Sequence, residues 1–367
     1  MTKMIKRHLS NVLGKTTNRH LLAFFIDDYG AIINHSKEAQ TKMSVEGYNI
    51  GKSRFTQYDC LETNEDMEAL FEILMSFTDI HGRNVSWTPL ALSANPDFEK
   101  IKQSNYSQYY YKTLDKTLAE LKNHDKVYGH IKEGISNRIF VPQFHGREHI
   151  NIKLLMDSLR GGVTEALIPF ENNSLCSFKS ADGKISSGMA FKYKDDDELA
   201  SYNEIVADGL NCFEKVYGYR AVHFNAPGER ESSKIDKVLF DNGIRYIETD
   251  KIKKDPIGNG NYRRNFHWNG QLNRCGQRYT IRNCVFEPTA SMGFDWAEYT
   301  FKQIEIAFKW KKPAIVSGHR VNFSGGICSK NRREGLNTLR KLLSKVQNKF
   351  GDVEFVCSED LFKIMYE

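Results

Sequence analysis

Leu21-Leu22-Ala23-Phe24-Phe25-Ile26-Asp27-Asp28-Tyr29-Gly30 is the stretch on which the fold turns. Six apolar residues in a row, without polar alternation, mark a strand buried on both faces, and such strands belong to parallel sheets covered by helices. The run ends in two adjacent carboxylates. These repel each other and cost desolvation unless a cation or a proton offsets them. Asp-Asp before Gly also suits a turn; after six apolar residues, a site is the favoured reading.

The same arrangement recurs along the chain. Arg138-Ile139-Phe140-Val141-Pro142-Gln143-Phe144 reads as a strand that delivers His145-Gly146-Arg147-Glu148-His149. Ala221 to Asn225 leads into Ala226-Pro227-Gly228, Ile244 to Glu248 is a further strand, and Pro313 to Gly318 ends on His319-Arg320. Val85 to Leu92 and Val353 to Val356 complete the set. Between them lie helical spacings. Met67, Leu70, Phe71, Leu74 and Phe77 predict a helix over 65–77 capped by Asn64, and others follow at 109–121, 150–159, 198–217, 235–240, 296–310 and 336–350, with a last one after Ser358. Strand and helix alternate nearly throughout, which predicts a parallel β/α architecture with its polar chemistry at strand C-termini.

The 367 residues are read as one domain, 1–367, with insertions at about 31–63, 168–197 and 251–290. The first is a long loop suited to shaping a cleft, the second a Ser-, Gly- and Lys-rich surface excursion, the third a β-hairpin with segments at 266–268 and 279–281. A composition of 40% hydrophobic and 27% charged residues excludes a disordered chain. The net charge of +6 is a mild excess that reads as a solvated surface; it indicates no nucleic acid and leaves an acidic polymer open as a partner. Seven cysteines without a Cys-x-x-Cys pair suggest neither a zinc knuckle nor a disulfide framework. The first twenty residues are polar and basic, and no stretch approaches a membrane span, so a cytoplasmic protein is expected.

His145 and His149, four apart after a strand, read as two neighbours on one helical turn that can converge on a cation. Taken alone, the pair reads equally well as two polar residues on a solvated turn. Two histidines plus one Asp make an open three-ligand set for Zn²⁺ or another divalent ion, leaving a second Asp and a third His for acid–base work.

With these four strand ends in place, the sequence resembles the polysaccharide deacetylase, or NodB-homology, family of metal-dependent carbohydrate esterases. Phe25-Ile26-Asp27-Asp28-Tyr29-Gly30 is similar to its first motif, His145 to His149 to its two-histidine motif, Phe224-Asn225-Ala226-Pro227-Gly228 to its third, and Ile315-Val316-Ser317-Gly318-His319 to its last. The resemblance spans roughly residues 20 to 360 in the family's order. It implies a distorted seven-stranded (β/α) barrel and removal of an acetyl or other acyl group from an N-acetylated sugar or polysaccharide. It further implies a divalent ion, Zn²⁺ foremost, on Asp28, His145 and His149, with Asp27 as catalytic base and His319 as catalytic acid. Asn225 and Gly228 would serve the oxyanion and substrate, Gly228 through its N–H.

Three departures accompany it. Asn225 stands where the family's third motif carries an Arg that orients the base, Gly228 stands where an aromatic follows the proline, and the Asp-Trp motif near residue 250 has only Asp250 and Asp255 as candidates. Two other enzyme readings compete. His-x-x-Glu-His also fits the inverted zinc-peptidase motif, but that needs both histidines inside a long helix, and Pro142 and Gly146 oppose one. A glycoside hydrolase on a related barrel would use two separated carboxylates and no metal. A non-catalytic barrel that binds metal and glycan is the third alternative.

Overall fold

The computed structural model describes residue 8 and residues 11–367. In chain order its strands are β1 (His20–Tyr29), β2 (Trp87–Leu92), β3 (Ala94–Pro96), β4 (Tyr111–Thr113), β5 (Gln143–Gly146), β6 (His223–Phe224) and β7 (Tyr246–Glu248). They continue with β8 (Ile252–Gly258), β9 (Asn261–Phe266), β10 (Arg278–Thr280), β11 (Cys284–Val285), β12 (Ala314–His319) and β13 (Val353–Phe355). The main sheet runs β10-β7-β6-β5-β2-β1-β12-β11 with every neighbouring pair parallel, and β13 pairs with the first residues of β1.

The two ends of this path are consecutive in sequence. Residues 278–285 pair first with β7 and then with β12, so the sheet curls into a barrel whose seam is spanned by one interrupted strand. Counted that way, the barrel has the seven strands expected, with β13 added beside β1. The third insertion was therefore read too broadly. Its hairpin is β8–β9, while Tyr279 and Thr280 belong to the barrel.

As the unbroken apolar run requires, β1 is central and buried from Leu21 to Tyr29. Phe24 stacks on Trp87 of β2 at 5.1 Å, and helices such as Asn64–Met75, Asp196–Tyr217 and Ser329–Lys349 cover the outer face with Leu70, Leu210 and Leu339. Each fully buried side chain of this size stabilises the fold by about 1.5–3 kcal/mol.

Several local expectations change. The span 109–121 is β4 followed by a helix at Leu114–Glu120, because Tyr111 to Thr113 pair antiparallel with β3. The first insertion is not a bare loop; it holds short helices at Lys37–Val45 and Arg54–Tyr58. The second is not a surface excursion either. Leu175, Phe178, Ile185, Phe191 and Tyr193 are buried, and the segment packs down over the barrel's mouth.

Candidate metal centre and active site

Successive residues of a strand point to opposite faces, so Asp27 and Asp28 would ordinarily diverge. A register shift between β1 and β2 falls between Ile26 and Tyr29, and Asp28 adopts the left-handed φ of 77°. This bulge brings both carboxylates to the barrel's mouth. Left-handed backbone is tolerated by Asp better than by most residues but still costs of order 1–3 kcal/mol, a strain typical of functional positions. Beyond the bulge the chain is clamped. The Gly30 N–H donates to both oxygens of Glu62, and buried Arg320 joins Glu62 (2.8 Å), Asp59 and the carbonyl of Ala31 (2.7 Å). Burial raises Asp59 to about 6 despite that arginine.

His145 and His149 are not on a helical turn. His145 lies in β5, Gly146 turns the chain at φ 127°, and the helix starts only at Ile152, capped by Asn151. The rings nonetheless meet with centroids 5.4 Å apart. His145 Nδ1 is 2.9 Å from the carbonyl oxygen of Asn225, which can only accept, so Nδ1 carries the proton and the lone pair sits on Nε2. That Nε2 is buried, makes no hydrogen bond, and lies 3.5 Å from Asp28 Oδ1; His149 Nε2 is 3.1 Å from the same oxygen. The three ligand atoms lie within 4.8 Å of one another, and among the described residues no other His, Cys, Asp or Glu group meets this criterion. Burial alone would raise Asp28, but the His149 imidazole beside it holds its carboxyl well below the usual range. Burial would lower His149, and Asp28 outweighs it and raises that imidazole. An ionised carboxylate and an orphaned imidazole nitrogen beside a second imidazole form a donor set that suits a divalent cation with positions left open.

Asp27 and His319 are direct partners in the β1–β12 register, and His319 Nε2 lies 3.8 Å from Asp27 Oδ2. Arg282, in the connection that crosses the barrel seam, donates from Nη1 to both oxygens of Asp27 at 2.9 and 2.8 Å and from Nε to Glu248 at 2.5 Å. Asn225 is buried, with its amide donating to Glu248 and its carbonyl holding His145. Asp27 thus has its cationic partner in Arg282, and Glu248 links Arg282 to Asn225.

His319 is held from the other side. Its Nδ1 is 2.5 Å from Glu287, whose other oxygen accepts from Arg54 at 2.6 Å and from Asn322 at 2.9 Å. Phe55 sets its ring edge-on at 5.4 Å. Burial would lower His319, but Glu287, with Asp28 and Asp27 beyond it, raises it to about 10; Glu287 itself is lowered to about 2, against its own burial, chiefly by His319. Gly228 sits at φ 70° with the chain of Gly188 and Met189 so close that a Cβ would lie 2.9 Å from Met189. His319 is about one-third exposed and His149 17%, against 7% or less for both aspartates, so solvent reaches the site past the histidines.

Sequence reading missed Arg282, Glu248 and Glu287. Glu248 and Glu287 were within its reach, because each follows a short apolar strand as the other site residues do. Arg282 carried no such signal. Asp250 and Asp255 do not enter the site: Asp250 pairs with Arg230 at the surface, and Asp255 is buried under the hairpin against Ser233.

The sequence matches no protein-family model and no curated protein. Among solved structures, Puue allantoinase aligns with a TM-score of 0.50 at 10% identity over 94% of this chain and 90% of that one. A putative polysaccharide deacetylase from Mycobacterium smegmatis aligns at 0.49 and 13% over 96% and 91%, and a probable polysaccharide deacetylase from Pseudomonas aeruginosa PAO1 at 0.47 and 11% over 94% and 91%. Likeness at these identities extends to the fold, a distorted parallel β/α barrel.

Proposed function

We propose that this chain is a metal-dependent hydrolase that removes an acetyl or other acyl group from an N-acetylated sugar or glycan. The observation that carries the reading is the convergence of Asp28, His145 and His149 beside two separately buttressed proton carriers, Asp27 on Arg282 and His319 on Glu287. Asp28, His145 and His149 would hold a divalent cation, Zn²⁺ foremost for this ligand set, which would supply Lewis acidity toward a carbonyl oxygen and lower the pKa of a bound water.

The remaining work falls to the protein. Asp27, kept in place by Arg282, accepts the proton of the attacking water. His319, kept cationic by Glu287, donates a proton to the departing amine from its Nε2, the nitrogen that faces Asp27. The Gly228 N–H would serve as the oxyanion contact, on a left-handed turn against Met189 that needs glycine. Arg54, through Glu287, and Phe55, both from the first insertion, wall one side of His319.

A glycoside hydrolase fits less well. That chemistry needs one carboxyl protonated, whereas Asp27 and Glu248 share Arg282, and Glu287 lies between His319 and Arg54. The test is acetate release from N-acetylated oligosaccharides by metal-reconstituted protein. Acetate without new reducing ends supports deacetylation; new reducing ends without acetate would establish the glycosidase instead.

A further inference from the structure

The β8–β9 hairpin leaves the barrel directly after β7, whose last residue, Glu248, lies in the candidate site. Its inner face is firmly fixed. Buried Lys253 pairs with buried Glu231, Asp255 accepts from Ser233 (2.8 Å) and Asn265 (3.2 Å), and the carbonyl of Pro256 accepts from Ser232 and Tyr193. The outer face of this anchored hairpin is largely exposed. By register it carries the pair Ile252–Phe266, then Lys254–Arg264, then Tyr262, and the bulge at Pro256/Gly258 turns Ile257 outward as well. Trp268 continues the strip beyond Phe266. These five apolar side chains are 39% (Trp268) to 57% (Ile252) exposed.

The strip is also basic. The Lys251 and Lys254 ammoniums lie 5.6 and 5.1 Å over the rings of Phe266 and Tyr262, Arg264 stands opposite Lys254 on the same face, and the hairpin's one acid, Asp255, is buried on the other face, where it pairs with Arg263. We propose that this face docks on an anionic lipid bilayer. Aromatic, aliphatic and Lys/Arg side chains mixed on one fixed face match the headgroup–acyl boundary, where the apolar groups enter and the cations meet lipid phosphates. A sugar chain suits the face less. Stacking needs free ring faces, and lysines lie over one side of Phe266 and of Tyr262, while the most exposed members, Ile252 and Ile257, offer a sugar no ring to stack on. No helix among the described residues is long and apolar enough to cross a membrane.

The test is sedimentation of the full chain with vesicles of phosphatidylcholine, with and without one third phosphatidylglycerol, at low and high salt. The protein should pellet with the anionic vesicles and be released by salt. Lys251→Glu/Lys254→Glu should weaken partitioning at least about tenfold, as expected for two charges near a surface. Phe266→Ser/Trp268→Ser should weaken it comparably, with both variants keeping the wild-type circular dichroism spectrum. No pelleting, equal pelleting with neutral vesicles, or unaltered binding by either variant would overturn the proposal. So would a vesicle-independent dimer in light scattering that the Phe266→Ser/Trp268→Ser variant abolishes, which would assign the face to a second copy. Displacement from vesicles by a soluble uronic-acid polymer but not by an equally charged salt would assign it to glycan.

Discussion

The His319–Glu287 pair sets the proton chemistry at the level of single residues. Glu287, lowered to about 2 from an ordinary 4.5, contributes stability that is full above the unfolded value and lost as pH falls toward 2. His319, raised to about 10 from 6.5, contributes stability that is full below 6.5 and lost as pH rises toward 10. Denaturant unfolding of the metal-free protein should therefore show a plateau between about 4.5 and 6.5 from this pair, falling on both sides, and Glu287→Gln should flatten both limbs. Nuclear magnetic resonance titration of the same variant should show His319 well below its wild-type value; an unmoved value would mean that Glu287 is not what holds the proton. His319→Gln should cost about 10²–10⁴-fold in deacetylation rate with bound metal unchanged, the usual contribution of a positioned acid. Loss of the metal in that variant would make His319 a ligand.

At the level of elements, the interrupted strand 278–285 deserves the closest trial, because it closes the barrel and carries Arg282. Arg282→Ala leaves Asp27 and Glu248 buried without their shared cation, and breaking a buried pair from one side costs roughly 3–5 kcal/mol. Equilibrium unfolding measures this; a loss under about 1 kcal/mol, the range of exposed ion pairs, would show that Arg282 is not buried between them. A second trial falls on the helix Ser329–Lys349. A Cβ at Gly335 would lie 1.7 Å from the carbonyl oxygen of Asn322, and the Asn322 side chain bonds Glu287. Gly335→Ala should thus push the helix off the barrel, at about 1–3 kcal/mol or more by overpacking, and slow turnover through Glu287.

These elements also show what was legible in the sequence. The apolar run of β1 and the strand ends at Asp27, His145 and His319 could be read because burial on both faces leaves an unbroken hydrophobic signature. The run 278–285 could not: its strands are two and three residues long and broken at Arg282. The geometry of His149 was also hidden, since a glycine in left-handed backbone, not a helix, brings it back to His145.

For the whole molecule, the barrel gathers residues more than 290 positions apart in sequence, from Asp27 to His319, into one mouth rimmed by Arg54 and Phe55. What ties those residues into one proposed site is the cation shared by Asp28, His145 and His149. The direct measurement is metal content by mass spectrometry after chelation, reconstitution with Zn²⁺ and dialysis above pH 7, where imidazoles outside the site are largely neutral. Wild-type protein should retain one equivalent per chain, while His145→Ala and Asp28→Asn, still folded, should retain almost none. Wild-type protein that retains no metal, or a His145→Ala variant that retains the full equivalent, would contradict the assignment.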